Sequence, residues 1–416
     1  MSIKTEIYVY AHWKDMPEPK IIGILSAQQA KSKKAFSFEY DKTWLNTGQK
    51  FLLDPDIQLY GGSQYPNKKE NFGIFLESMP DTWGRTLMKR RAAQWAKEKG
   101  EKAPTLFDID FLLGVYDESR MGALRFKVNP SEDFLDSNKT TSTPPWSSIR
   151  ELQNAAANFE NDDTAVKKWL SVLMAPGSSL GGARPKANIL DNDNNLWIAK
   201  FPSKTDTSDK GAWEFLSYQL AIKAGIEMAP CRIEKIMGNY HTFFTKRFDR
   251  ENGERIHFAS AMTMTANNED TIRDNPASYL DIAEFISNHG ANIKANLHQL
   301  WRRIIFNIAI SNTDDHLRNH GFIVTSDGWI LSPAYDLNPS IEKDGLSLNI
   351  DSDNNELDFE LAKSVGEYFR LNKQQMETII KEVLQSTSNW RTIAKEIGIS
   401  RTEQEIMSKA FNSIAL

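Results

Sequence analysis

The chain has one cysteine, Cys231, among its 416 residues. That excludes an internal disulfide and suits a reducing cytosol. Long apolar runs are also missing. The best stretch, around Ile304–Ile310, follows Arg302 and Arg303 and contains Asn307, so no membrane span is expected. No apolar run follows a basic start, so no signal peptide is expected, and the expected compartment is the cytoplasm. Histidine is scarce, with 7 residues. His316 and His320 stand four apart, but H-L-R-N-H lacks the glutamate of a zinc-protease helix, and a zinc site is not expected. A dominant charge is absent too: 50 Lys and Arg against 55 Asp and Glu leave a net charge of -5. A surface built wholly for nucleic acid is thereby excluded. Short basic runs at Lys31, Lys33, Lys34 and at Lys89, Arg90, Arg91 read as solvated faces. DNA would be reached indirectly, through a partner.

The most informative segment is N-T-D-D-H-L-R-N-H-G-F-I-V, Asn312–Val324, followed by S-P-A-Y-D, Ser332–Asp336. Asp314 and Asn319 have the D-x-x-x-x-N spacing of a phosphotransfer loop. One carboxylate there receives a hydroxyl proton and one amide oxygen holds a metal ion. Asp336 follows a predicted hairpin, where a second metal-binding carboxylate would stand. The preceding segment, Leu297–Ser311, has apolar residues at helical spacing. Each residue alone also reads as an ordinary turn or cap residue.

Upstream, Gly177–Lys186 reads G-S-S-L-G-G-A-R-P-K. It is neither a Walker A motif nor G-x-G-x-x-G, and a plain flexible loop is the competing reading. Gly181 and Gly182 can nevertheless bring backbone N–H groups close to phosphates. Two predicted strands follow, Ala187–Leu190 and Leu196–Phe201, the second carrying Lys200 within W-I-A-K-F. A lysine among apolar strand residues needs a charge partner or a route to water. Glu214, on a predicted helix over Ala212–Ala224, is the candidate partner. A predicted strand over Tyr240–Phe248 ends in K-R-F-D-R and reads as a linker between lobes.

Taken in order, these segments resemble the HipA-type bacterial toxin kinases over nearly the full length. The segments that carry the resemblance include I-G-I-L-S, F-S-F-E-Y, P-D-T-W-G-R and R-M-G-A-L-R-F in the N-terminal part. In the remainder they are S-S-L-G-G-A-R-P-K, W-I-A-K-F-P, K-R-F-D-R, N-T-D-D-H-L-R-N and S-P-A-Y-D. The resemblance implies an α+β, two-lobed protein-kinase-like fold with a family-specific N-terminal α/β domain and a mostly helical C-terminal lobe. The expected division is 1–130 for that domain, 131–146 for a linker, 147–245 for the nucleotide-binding region and 246–416 for the helical lobe. Within them a helix is expected around Thr82–Lys99, and helices from Leu357 onward with breaks near Asn372 and Ser386.

The resemblance also implies roles. Asp314 would be the catalytic base, and Asn319 and Asp336 the Mg²⁺ ligands. ATP would meet Gly181, Gly182, Ala183, Arg184, Pro185 and Lys186 in the phosphate loop, with Lys200 paired to Glu214. Lys246, Arg247 and Phe248 would face adenine, His316 would lie beside the phosphates, and Tyr335 would flank the nucleotide. Ser179, or its neighbour Ser178, would be an autophosphorylation site. Implied partners are a helix-turn-helix antitoxin and a protein substrate, of which an aminoacyl-tRNA synthetase is the family example. Two other classes remain open: a small-molecule phosphotransferase, and a non-toxic scaffold that only binds a partner. H-R-D, D-F-G and A-P-E are absent, as they are in the resembled family.

Overall fold

Strict alternation of apolar residues builds the first sheet. In the computed structural model, which describes residues 4–30, 33–47, 52–138, 142–161, 172–173 and 182–415, strand β1 (Lys4–Ala11) buries Ile7, Val9 and Ala11 on one face. It pairs antiparallel with β2 (Lys20–Ala30) and with β4 (Leu124–Lys127), and β3 (Lys33–Tyr40) completes the order β3-β2-β1-β4. Phe38, Phe75 and Phe126 pack over this sheet with ring centroids 5.5 and 6.3 Å apart.

Helix α1 (Thr82–Lys99) starts at the Asp81 cap and stops at Gly100, whose φ of 71° gives the left-handed C-cap. Helix α2 (Ile149–Asn161) precedes the hairpin of β5 (Lys186–Leu190) and β6 (Leu196–Lys200). The end of the Ser-, Thr- and Pro-rich segment is not free chain: the Leu190 N–H donates to the Pro144 carbonyl at 2.9 Å.

The chain divides into two compact units. One comprises Met1–Thr205, Ile236–Gly238 and Lys246–Ala259; the other comprises Asp206–Lys235, Asn239–Thr245 and Ser260–Leu416. Two arginine motifs tie the first unit together. Arg120, fully buried, donates to the carbonyls of Ser78, Leu112, Val115 and Leu135 at 2.7–2.9 Å. Burial lowers its guanidinium to about 10. Asp249 accepts from Arg247, Arg250 and the Gly122 N–H at 2.6–2.8 Å. Burial pushes that carboxyl up, but the flanking guanidinium groups outweigh burial and hold it below the carboxylate range.

In the second unit, α3 (Lys210–Lys223) is capped by Asp209, which also meets His241 Nδ1 at 2.5 Å. Strands β7 (Cys231–Glu234) and β8 (Thr242–Lys246) pair antiparallel, from Cys231 opposite Thr245 to Glu234 opposite Thr242. Helix α4 (Tyr279–His289) packs on α5 (Ile293–Ala309). Helix α5 is the core: Leu297, Leu300, Trp301, Ile304, Ile305, Ile308 and Ala309 are all fully buried. Its C-terminus feeds a loop and then the hairpin of β9 (Gly321–Thr325) and β10 (Gly328–Leu331). Helices α6 (Lys373–Thr387), α7 (Trp390–Ile397) and α8 (Arg401–Met407) follow, and a 3-10 helix over Ser408–Ala415 comes after them. Among the described residues no helix is long and apolar enough to cross a membrane.

Candidate active site

The loop after α5 is shaped by a left-handed residue. Ser311, at φ 50°, ends the helix and turns the chain so that Asn312 donates back to the Asn307 carbonyl at 2.8 Å. Two adjacent carboxylates then point in opposite directions. Asp314 is exposed, with 78% of its side chain open to solvent and Lys343 Nζ 3.8 Å away. Asp315 is buried, with 1% of its side chain exposed.

Three groups converge on Asp315 Oδ2. The Tyr279 hydroxyl donates at 2.6 Å and Asn307 Nδ2 at 2.8 Å, and His320 Nε2 lies at 2.7 Å. Burial and then the neighbouring Asp315 charge raise the Tyr279 phenol well above its ordinary value, so it stays a donor. The exposed Asp314 thus rides on a loop whose next residue is locked into the core. Asn319 closes the loop by donating from Nδ2 to the Asp314 carbonyl at 3.1 Å.

Asp336 follows β10 in a left-handed conformation, φ 59°, which aspartate tolerates better than branched residues. It is exposed. Tyr335, beside it, donates its hydroxyl to the Arg318 carbonyl at 2.7 Å. Arg303 lies buried behind this segment and donates to the Ser332 carbonyl at 2.6 Å. Burial lowers its guanidinium to about 10. His316 is half-buried between Asp314 and Asn319. Asn319 spends its amide nitrogen on the backbone, which leaves its Oδ1 as the acceptor of that side chain. An amide oxygen and a carboxylate are the hard donors that Mg²⁺ takes. Among the described residues no three His, Cys, Asp or Glu side chains cluster as a closed metal site. The amide oxygen of Asn319 and the carboxylate of Asp336 are donor types that suit Mg²⁺.

The expected phosphate residues lie in the first unit. Lys186 and Lys200 face each other directly across the β5–β6 hairpin, and opposed strand residues share one face. Lys186 is 8% exposed. Gly182, at φ 83°, lies so close to Lys186 that a Cβ there would come 2.6 Å from the lysine Nζ. Ala183 is exposed; Pro185 is buried and its carbonyl accepts from the Phe201 N–H at 2.9 Å. Arg184 reaches the Phe201 carbonyl at 3.5 Å. Gly181, Ser178 and Ser179 lie outside the described residues.

Lys246 is half-buried, and Phe248 packs on Phe258 with centroids 5.8 Å apart. Arg247 is buried. Its N–H donates to the Leu196 carbonyl at 2.9 Å, and its guanidinium holds Asp249, Asn188 and the Ser119 carbonyl. Glu214, in the second unit, is 8% exposed on α3.

Sequence reasoning missed Tyr279, Asn307, Asp315, His320 and Arg303. The doubled aspartate of T-D-D-H was a usable signal for Asp315, since two adjacent carboxylates on one loop seldom share a role. Tyr279 comes from a helix 36 residues upstream of Asp315 and carries no local signal.

The family model for the HipA-like C-terminal domain matches residues 178–391. A Haemophilus influenzae (strain Rd) protein named "Putative kinase" is 26% identical over 179 residues, covering 38% of this chain and 52% of that protein. A Sinorhizobium fredii protein named "Putative kinase Y4mE" is 24% identical over 211 residues, covering 49% of this chain and 43% of that protein. The matched segments thus span about half the length of these curated relatives. The HipA chain of the Shewanella oneidensis MR-1 toxin–antitoxin system, solved with HipB and operator DNA, has a TM-score of 0.66 at 19% identity. That match covers 98% of this chain and 95% of the other. The likeness over both chains shows the α+β, two-lobed kinase-like fold. With half of its length matched by the family model and its whole fold shared with a HipA chain, this protein belongs to the HipA-like family.

Proposed function

We propose that this protein is a serine/threonine protein kinase of HipA type, which moves the γ-phosphoryl group of ATP to a protein hydroxyl. The observation that carries this reading is the loop in which an exposed Asp314 is fixed by the buried Asp315 network and closed by Asn319. Asp314 accepts the proton of the attacking hydroxyl. A new bond forms from that oxygen to the γ-phosphorus as the bond to the β-phosphate oxygen breaks, and ADP leaves. Lys186, Lys200 and the Gly182–Lys186 backbone hold the phosphates. His316 lies beside the phosphates and Tyr335 flanks the nucleotide. Asn319 and Asp336 would hold Mg²⁺, which supplies charge neutralisation along the phosphates.

The same reading extends to regulation and partners. Ser179, or else Ser178, receives phosphate from the enzyme itself. The added charge, roughly -2, then repels the ATP phosphates and lowers activity. The relative from Shewanella oneidensis was solved with HipB and operator DNA. By analogy the chain acts as the toxin of a toxin–antitoxin pair, bound by a helix-turn-helix antitoxin and reaching DNA through it.

The test is incubation of the purified chain with labelled ATP, Mg²⁺ and a cell extract. Label is expected on serine or threonine of an extract protein and on the loop serine, with slowed growth when the chain is expressed alone. Label confined to a small molecule would replace this reading with a small-molecule phosphotransferase. No label at all would leave a partner-binding scaffold. Normal growth at confirmed expression would remove the toxin role alone.

A further inference from the structure

The motif P-D-T-W-G-R at the start of α1 is occupied by an unexpected task. Gly182 is held at both its backbone groups by two neighbouring residues of that motif. Its N–H donates to Asp81 Oδ2 at 2.9 Å, and its carbonyl accepts from the Trp83 N–H at 3.1 Å. The Trp83 indole N–H then donates to the Lys186 carbonyl at 2.9 Å. Both ends of the segment Gly182–Lys186 are thus fastened to the first turn of one helix, about a hundred residues earlier in the chain.

The fastening is itself rigid. Trp83 is 4% exposed and packs edge-on against Phe159 with centroids 5.4 Å apart. Arg85 returns to the Pro80 carbonyl at 2.9 Å and to Asp108 at 3.1 Å, which fixes the start of the helix. Asp81 divides its two oxygens. Oδ1 caps α1 through the Thr82 N–H at 2.7 Å, and Oδ2 serves Gly182.

We infer that Asp81 and Trp83 are positioning residues: they clamp Gly182–Lys186, so that the N-terminal domain sets the phosphate-binding segment and the Lys186 ammonium it carries. The role of the clamp toward nucleotide rests on the kinase reading above. The clamp itself does not. A capping role alone makes a different demand, because serine and asparagine cap helices as well as aspartate does. In each, the oxygen that caps Thr82 stands at the Oδ1 position, and no acceptor remains at the Oδ2 position that meets the Gly182 N–H; asparagine places an N–H₂ donor there. Asp81→Ser and Asp81→Asn therefore keep the cap and open the clamp. Trp83→Phe keeps the packed ring and removes the bond to Lys186.

Two measurements on the full chain test this. The first is amide hydrogen exchange without nucleotide. Peptides covering 182–190 should exchange about tenfold or more faster in all three variants, with peptides from α1 unchanged. The second is steady-state phosphorylation. The KM for ATP should rise about tenfold, on the scale of one charge-assisted hydrogen bond, with kcat much less affected.

Unchanged exchange at 182–190 would overturn the clamp. Faster exchange with an unchanged KM would overturn its service to the nucleotide. A lower KM would also overturn it, because Asp81 would then be competing with a phosphate for the Gly182 N–H. If the wild-type chain transfers no phosphate while exchange rises as expected, the kinase reading fails and the clamp stands.

Discussion

Asp314 and Asp315 are neighbours with the same side chain, and the fold gives one to solvent and the other to three core donors. Their chemistry follows from that difference. An exposed carboxylate is available to a substrate, and a buried one can only hold its surroundings. His257 shows the same principle in the first unit. It is 2% exposed and stacks on Trp13 with centroids 5.3 Å apart. Burial lowers its imidazole to about 3. Above pH 6.5 the ring is neutral in both folded and unfolded chains. Below 6.5 the unfolded chain takes up a proton that the folded chain refuses until about pH 3. Stability is therefore present above 6.5 and lost as pH falls through that window, by ~1.4 kcal/mol per pH unit. His257→Phe keeps an aromatic ring and removes the titration. In urea unfolding at pH 7 and pH 4.5, the wild type should lose about 2 kcal/mol more than the variant. Parallel losses would mean that His257 does not stay neutral in the fold. None of this was visible in the sequence, where His257 has no pattern around it. The helix, loop and hairpin that carry Asp314 and Asp336 were legible, because helical spacing, turn residues and short apolar strands are local signals.

At the scale of elements, legibility tracked local signals. Helix α1 has the bounds expected of it because its cap residues, Asp81 and Gly100, stand in the sequence. The break near Asn372 is a capping box in which Asn372 and Gln375 exchange backbone bonds. The next break falls at Ser388–Asn389 rather than Ser386, because Ser386 turns inward and donates to the Leu220 carbonyl at 2.6 Å. A tertiary bond there overrides a residue type that usually ends helices. The Asp315 network is also a product of elements: α4 brings Tyr279, α5 brings Asn307, and the start of β9 is preceded by His320. Removing the charge at its centre leaves the three donors facing an amide. Asp315→Asn should lower kcat about tenfold or more and reduce the melting temperature, while the KM for ATP changes little, since breaking a buried charged partner costs ~3 kcal/mol. A variant with normal kcat would show that the loop is held by other contacts.

At the scale of the molecule, the residues singled out fall in both compact units. One carries the lysine pair, Gly182 and the clamp from α1; the other carries Asp314, Asn319, Asp336 and Glu214. The order of motifs made the kinase-like fold legible, because each motif needs a particular element beneath it. The fastening of the glycine segment by α1 was not legible, since no local pattern in P-D-T-W-G-R names a partner a hundred residues away. The central claim is that Asp314 acts as the base for phosphoryl transfer, and Asp314→Asn tests it most directly. The amide is nearly the same shape but does not accept the hydroxyl proton. With labelled ATP and Mg²⁺, transfer to protein should fall by about three powers of ten or more, while the fold and ATP affinity stay near wild type. Transfer within tenfold of wild type in that variant would contradict the account.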